Sequence, residues 1–155
     1  NVRFVNKAID IESGKKSIFL VNPKYYDFYK KKYQSKDVDW LTVLASFHKN
    51  HLENHGVKSS HIQSTEIDCI NFKDLIDQYN FDNLDLLVVD TEGYDDILIT
   101  NFIQNTSIRP VIILEWIHIP KNKAENLIEL LKSNNYVFFK LSKDLACIQK
   151  NLLFN

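Results

Sequence analysis

Thirteen residues from Leu84 to Asp96, Leu-Asp-Leu-Leu-Val-Val-Asp-Thr-Glu-Gly-Tyr-Asp-Asp, limit the fold of this chain more than any other stretch. A short apolar, β-branched run that stops at turn residues reads as a strand buried on both faces, as parallel α/β sheets make them. In such sheets ligands bind beyond the carboxyl ends of the strands. Asp90 and Glu92 alternate with Thr91 along extended backbone, so both can point to the same side. Gly93 allows a sharp turn into a helix, and Asp95 and Asp96 suit that helix's positive end.

The remaining chain supplies partners for this strand. Val2–Ile9 reads as a strand, Asp10–Lys16 as a turn and Ser17–Val21 as a second strand, the two forming a hairpin. Asn22-Pro23 starts a helix over Lys24–Gln34, rich in tyrosine and lysine; an amphipathic helix with snorkelling lysines is favoured over a nucleic-acid platform. Asp37–His55 is expected to be one helix, because Trp40, Leu44, Phe47, His51 and His55 share a face, with Gly56 as its stop. His48, His51 and His55 invite a metal reading, but no Cys or acid lies at a matching offset except Glu53, which faces elsewhere, and hydrogen-bonded histidines are expected. Gln63–Ile70 reads as a strand, Asn71 with Asp74 as the capping box of a short helix, Ile108–Ile117 as a second buried strand and Lys121–Asn134 as a helix. Tyr136–Leu141 and Leu145–Gln149 close the chain as two strands. The latter half thus runs β-α-β-α-β-β. Residues 1–155 are read as a single α/β domain with a mostly parallel sheet and an antiparallel C-terminal edge.

Composition removes several function classes. The 155 residues carry a net charge of -1, which offers no overall field for nucleic acid or an anionic membrane. No apolar run approaches the ~18 residues of a membrane span, and no signal peptide is visible, so a cytoplasmic protein with reduced Cys69 and Cys147 is the expectation. Glycine occurs only at 14, 56 and 93, so no glycine-rich phosphate loop exists. The chain has no Met and starts at Asn1, which suggests a piece of a longer product.

Glu115 ends the second buried strand, on the same sheet edge as Asp90 and Glu92, and His118 follows three residues later. Carboxylates gathered at one edge can bind Mg²⁺ or Ca²⁺, act as a general base toward a hydroxyl, or hydrogen-bond a ligand. Capping of the next helix would explain one acid, not the set.

The block Asp90-Thr91-Glu92-Gly93-Tyr94-Asp95 resembles the hallmark of FkbM-type methyltransferases. Ala45–Leu52 with Gly56 resembles the family's Ser-Phe-x-Lys-x-His block, and Phe72–Ile76 the helix before the hallmark. Arg109-Pro110-x-Ile112-Ile113-x-Glu115 resembles the next strand, and Asp144-Leu145-Ala146 a recurring Asp-x-x-Ala ending. Asn135-Tyr136 stands where the family has Gly-Tyr. The resemblance implies a Rossmann-like fold, S-adenosylmethionine as cofactor and methylation of an oxygen on a sugar or natural product. It implies catalytic roles for Asp90, Glu92, Glu115 and His118, and cofactor contacts at Asn6, Ala8, Ile9 and Asp10. No metal ligands are assigned, and Mg²⁺ stays open. The family's Asp-x-Gly-x-x-x-Gly loop has no counterpart here. The chain is therefore expected to begin at the third strand, without the first two, leaving sheet edges that a second copy could pair with.

Two other readings stand beside this one. Val-Val-Asp-Thr-Glu also resembles the first motif of DnaQ-type exonucleases, although there it opens the domain. A methyltransferase-like chain without the glycine loop could also serve as a non-catalytic interaction module. The expected partners are a small-molecule or glycan acceptor, with no nucleic acid and no membrane.

Overall fold

The computed structural model describes residues 2–33, 40–81, 83–91 and 93–153. The chain divides into two compact units: Asn1–Ala8 with Gly14–Cys69, and Ile9–Ser13 with Ile70–Asn155. The near-zero net charge conceals a split between them. The first unit holds eleven Lys and Arg against six Asp and Glu, and the second holds eight against fourteen.

A four-stranded sheet in the order β1-β4-β2-β3 runs through the first unit, from β1 (Ala8–Ile9), β2 (Gly14–Val21), β3 (Ala45–Ser46) and β4 (Ile62–Ile70). The expected β1–β2 hairpin does not form. β2 instead pairs antiparallel with β4 along its whole length, from Gly14↔Cys69 to Val21↔Ile62, a longer ladder than the two residues of β1 could offer. The expected strand from Val2 is reduced to those two residues, and Val2 and Phe4 are exposed.

Asn22 accepts a hydrogen bond from the Lys24 amide at 3.1 Å and starts a 3-10 turn over Pro23–Tyr25. This leads into α1 (Tyr26–Tyr33). The single helix expected over Asp37–His55 is corrected to three pieces, and its first three residues lie outside the described ones. The pieces are α2 (Trp40–Val43), β3 and α3 (Lys49–Asn54). The break has a physical cause: Ala45 and Ser46 extend to pair with Leu20 and Phe19 of β2, and the Ser46 hydroxyl accepts from the His48 amide. The buried face is then made by Leu41, Leu44 and Leu52, packed with Val21, Tyr29 and Val57, rather than by the histidines.

The second unit follows the expected order: α4 (Phe72–Tyr79), β5 (Leu86–Val89), α5 (Asp95–Asn105), β6 (Val111–Glu115), α6 (Lys121–Ser133), β7 (Tyr136–Leu141) and β8 (Asp144–Gln149). Its sheet order is β5-β6-β8-β7. Only β5–β6 is parallel, while β6–β8 and β8–β7 are antiparallel, so the sheet is mixed rather than mostly parallel. The cause is the short turn between β7 and β8, where Ser142 takes φ +56°; a turn of that length can only return the chain antiparallel.

Three helices cover one face of this sheet. Phe72 and Ile76 of α4, Leu98, Ile99 and Phe102 of α5, and Leu127 and Leu131 of α6 pack on Val89, Ile112, Leu114, Leu145 and Cys147. Burial raises the Cys147 thiol to about 12, and Cys69 and Cys147 are both buried free thiols. The other face explains why β5 is not buried on both sides. Leu86 is 48% exposed and Val88 60%, and β5 forms an edge of the sheet. No helix among the described residues is long and apolar enough to cross a membrane.

Candidate functional site

The parallel register sets the site. Leu86, Leu87, Val88 and Val89 face Val111, Ile112, Ile113 and Leu114. Asp90 directly follows Val89, and Glu115 directly follows Leu114, so the two acids stand at one level at the carboxyl ends of neighbouring strands. Strand spacing of about 4.8 Å brings them side by side. Asp144 is the antiparallel partner of Glu115 on β8 and extends the acidic row to a third strand. Sequence reasoning assigned Asp144 no catalytic part, because an antiparallel partner's register cannot be read from sequence spacing. Glu92 lies outside the described residues.

Asp90 is exposed, whereas the Glu115 side chain is mostly buried. The His118 Nε2 stands 3.7 Å from Glu115 Oε2. The glycine of the hallmark block meets the same histidine: a Cβ at Gly93 would lie 3.7 Å from His118 Cβ. Gly93 takes φ +98°, a conformation that side chains resist, so glycine is required here by the backbone rather than by lack of room. The loop after β5 and the turn after β6 thus meet at His118.

Asp95 organises this loop. It is fully buried, and its Oδ2 accepts from the Thr91 hydroxyl at 2.8 Å, the Thr91 amide at 3.3 Å and the Gly93 amide at 3.4 Å. Burial raises its pKa, and the same hydrogen bonds, from Thr91 first, partly oppose the rise. The sequence pointed to Asp95 only as a favourable charge at a helix start. The spacing Thr-x-x-x-Asp across the loop could have shown it as the loop's internal acceptor.

Tyr94 is the other structural member of the block. Its hydroxyl donates to Asp10 Oδ1 at 2.8 Å, and the Ile11 amide donates to the same oxygen at 2.7 Å. Asp10 is 1% exposed, and Ile9, also of the second unit, is half-buried beside that unit's core. The other two residues assigned to the cofactor, Asn6 and Ala8, belong to the first unit. They line a cavity of about 480 Å³ with Glu66, Ile67 and Asp68. The structure therefore gathers Asp90, Glu115 and His118, and places Asn6 with Ala8 and Asp10 with Tyr94. No three His, Cys, Asp or Glu side chains among the described residues are grouped to hold a metal ion.

A sequence profile described as the Methyltransferase FkbM domain matches residues 6–138. The chain belongs to the FkbM methyltransferase family. The match spans both units, includes Asp90 and Glu115 of the acidic strand edge, and ends inside β7, before Asp144. No curated protein and no solved structure matches the chain significantly.

Proposed function

We propose that this FkbM-family chain is a Rossmann-like S-adenosylmethionine-dependent O-methyltransferase that acts on a hydroxyl of a sugar or natural product. The observation that carries the reading is the family match over residues 6–138, which includes Asp90 and Glu115 of the carboxylate edge. When bound, the cofactor supplies an electrophilic methyl group. The chain's own part is to orient an acceptor hydroxyl and take its proton. Asp90 is exposed at the strand end and suits hydrogen bonding of that hydroxyl. Glu115, 3.7 Å from His118, holds the imidazole at the same edge as a proton acceptor. Glu92 completes the proposed set.

The cofactor is cationic at sulfur and at its amino group and carries ribose hydroxyls. Toward that chemistry the Asn6–Ala8 cavity offers the Asp68 carboxylate and the Asn6 amide, while its Glu66 is paired with Lys15 at 3.0 Å and Lys7 also lines it. Ile9 and Asp10 complete the proposed cofactor set from the second unit, where Tyr94 holds Asp10.

Calorimetric titration with S-adenosylmethionine, followed by a radiolabelled methyl-transfer assay over a panel of sugars, tests this reading. Binding that survives Asp90→Asn and Glu115→Gln, with methyl transfer lost in both, is the expected result. Failure to bind the cofactor would favour a non-catalytic methyltransferase-like module.

A further inference from the structure

Helices α5 and α6 of the second unit leave a groove of about 500 Å³ between them, within the usual size range of ligand pockets. From Asp96 to Gln104 it follows α5 for roughly 12 Å of helix rise. Its head is the pair Asp96 and Lys123, its sides carry Thr100, Asn101, Gln104 and Asn126, and its floor is apolar, from Ile97, Leu127 and Leu130.

Two observations mark the groove as more than a solvated seam. Asp96 is only 7% exposed, a depth at which carboxylates are ordinarily saturated with donors. Among the described residues, however, its Oδ1 has no hydrogen-bond donor, and its Oδ2 lies 3.7 Å from Lys123 Nζ, beyond hydrogen-bond length. The ammonium is half-exposed at the head and makes no hydrogen bond among the described residues. Secondly, the half-buried side chains of Thr100 and Asn101 make no hydrogen bond among the described residues, and the exposed Gln104 and Asn126 stand beside them at the rim. Four neutral groups that both donate and accept thus stand around an apolar floor.

The chemistry of the lining selects the ligand. A docked amphipathic helix needs a continuous apolar stripe, which the amides interrupt. A nucleotide needs an excess of cations or a ring to stack on, whereas here a single lysine is balanced by an aspartate and no lining residue is aromatic. Vicinal hydroxyls donate and accept at once, as amides and threonine do, and the C–H face of a pyranose ring suits a leucine and isoleucine floor. We propose that this groove is a saccharide-binding site, with Asn101, Gln104 and Asn126 taking ring hydroxyls and the Asp96–Lys123 pair taking a further hydroxyl at the head. The inference stands on the groove itself and holds whatever reaction the acidic strand edge serves.

The test is titration of the ¹⁵N-labelled full chain with the methyl glycosides of glucose, galactose, mannose, fucose and rhamnose, followed by NMR. Saturable shifts are expected for at least one glycoside, centred on the side-chain amides of Asn101, Gln104 and Asn126 and on the backbone of α5. Asn101→Ala and Asn126→Ala should each weaken that binding about tenfold, as loss of one or two hydrogen bonds does. Both sites lie on the outer surface of helices where alanine is well tolerated, and a retained amide spectrum verifies the fold. Thr100→Val, which keeps the shape and removes the hydroxyl, gives a third reading at the groove's middle. The proposal is overturned if no glycoside produces saturable shifts into the tens of millimolar. Shifts lying outside α5 and α6, or binding indifferent to all three variants, also overturn it.

Discussion

Removing the Asp95 carboxylate should loosen the loop that carries Asp90. Its Oδ2 receives one short bond, from the Thr91 hydroxyl at 2.8 Å, and two long ones from the Thr91 and Gly93 amides. A hydrogen bond to a charged acceptor contributes about 1.5–3 kcal/mol, and the two long bonds add less than that each. The positive end of α5 contributes about 0.3–1 kcal/mol more. Against this stands the desolvation of a buried carboxylate, the same effect that raises its pKa. The balance for Asp95→Ala is about 2–3 kcal/mol of lost stability. Asp95→Asn keeps an acceptor oxygen and sheds the desolvation cost, so it should stay within about 1 kcal/mol of the parent at neutral pH. Urea unfolding is the assay. Trp116 lies in the second unit and Trp40 in the first, so a Trp40→Phe background makes fluorescence report the second unit alone. The pH dependence gives a second check. A carboxyl whose folded pKa is raised contributes stability that is full below its unfolded value of about 3.9 and is lost as pH rises through the folded value. The parent should therefore fall relative to Asp95→Asn as pH rises from about 4, and then level off. An alanine variant as stable as the parent, or an asparagine variant as unstable as the alanine one, would refute the reasoning.

Other substitutions test other parts of the fold. His61, 9% exposed, stacks on Tyr25 at 3.7 Å and pairs with the Tyr29 hydroxyl at 3.0 Å; burial first, then Lys58 and Lys24, lower its pKa. Thermal melts should thus show stability falling as pH drops below about 6.5, levelling beneath the folded pKa, and His61→Gln should abolish that fall. Gly93→Ala should cost about 1–2 kcal/mol in urea unfolding, from its φ of +98° alone, since the added Cβ meets only ordinary contacts. Arg109 donates to the Ile103, Thr106 and Ile108 carbonyls and to Asn134 Oδ1, so Arg109→Ala should cost about 2–3 kcal/mol by the same measurement, with Lys a poor substitute.

The second unit was legible because its elements are set by local signals. Asn71 accepts from the Asp74 amide at 2.8 Å as the capping-box spacing implied. The reciprocal half runs through Ser13, whose hydroxyl accepts from the Asn71 amide and donates to Asp74, a long-range contact the spacing could not contain. Asn135 shows how a departure from a motif can preserve its physics. It stands where the family has glycine and takes φ +63°, a conformation asparagine tolerates better than most side chains. The first unit was read less well because its strands are matched by non-local ladders. A helical period through Trp40, Leu44 and Phe47 is equally compatible with a broken segment, and only β2's need for an edge partner decides between them.

The hallmark block divides its labour in a way that sequence alone does not show. Conspicuous acids at a strand end invite a wholly catalytic reading, yet four of the six residues build the loop. Thr91 and Gly93 donate to Asp95, Gly93 also supplies the left-handed turn against His118, and Tyr94 reaches back to Asp10. Among the described residues of the block, what remains at the surface is Asp90, held beside Glu115 by the β5–β6 register. Catalytic and supporting substitutions should therefore separate in kind. Asp90→Asn should leave urea stability within about 0.5 kcal/mol of the parent, as exposed substitutions do, and abolish methyl transfer. Thr91→Val should lower both together, through the lost 2.8 Å bond to Asp95. An Asp90→Asn variant that unfolds as readily as Asp95→Ala would place Asp90 among the loop-building residues and leave Glu115 and His118 to carry the chemistry.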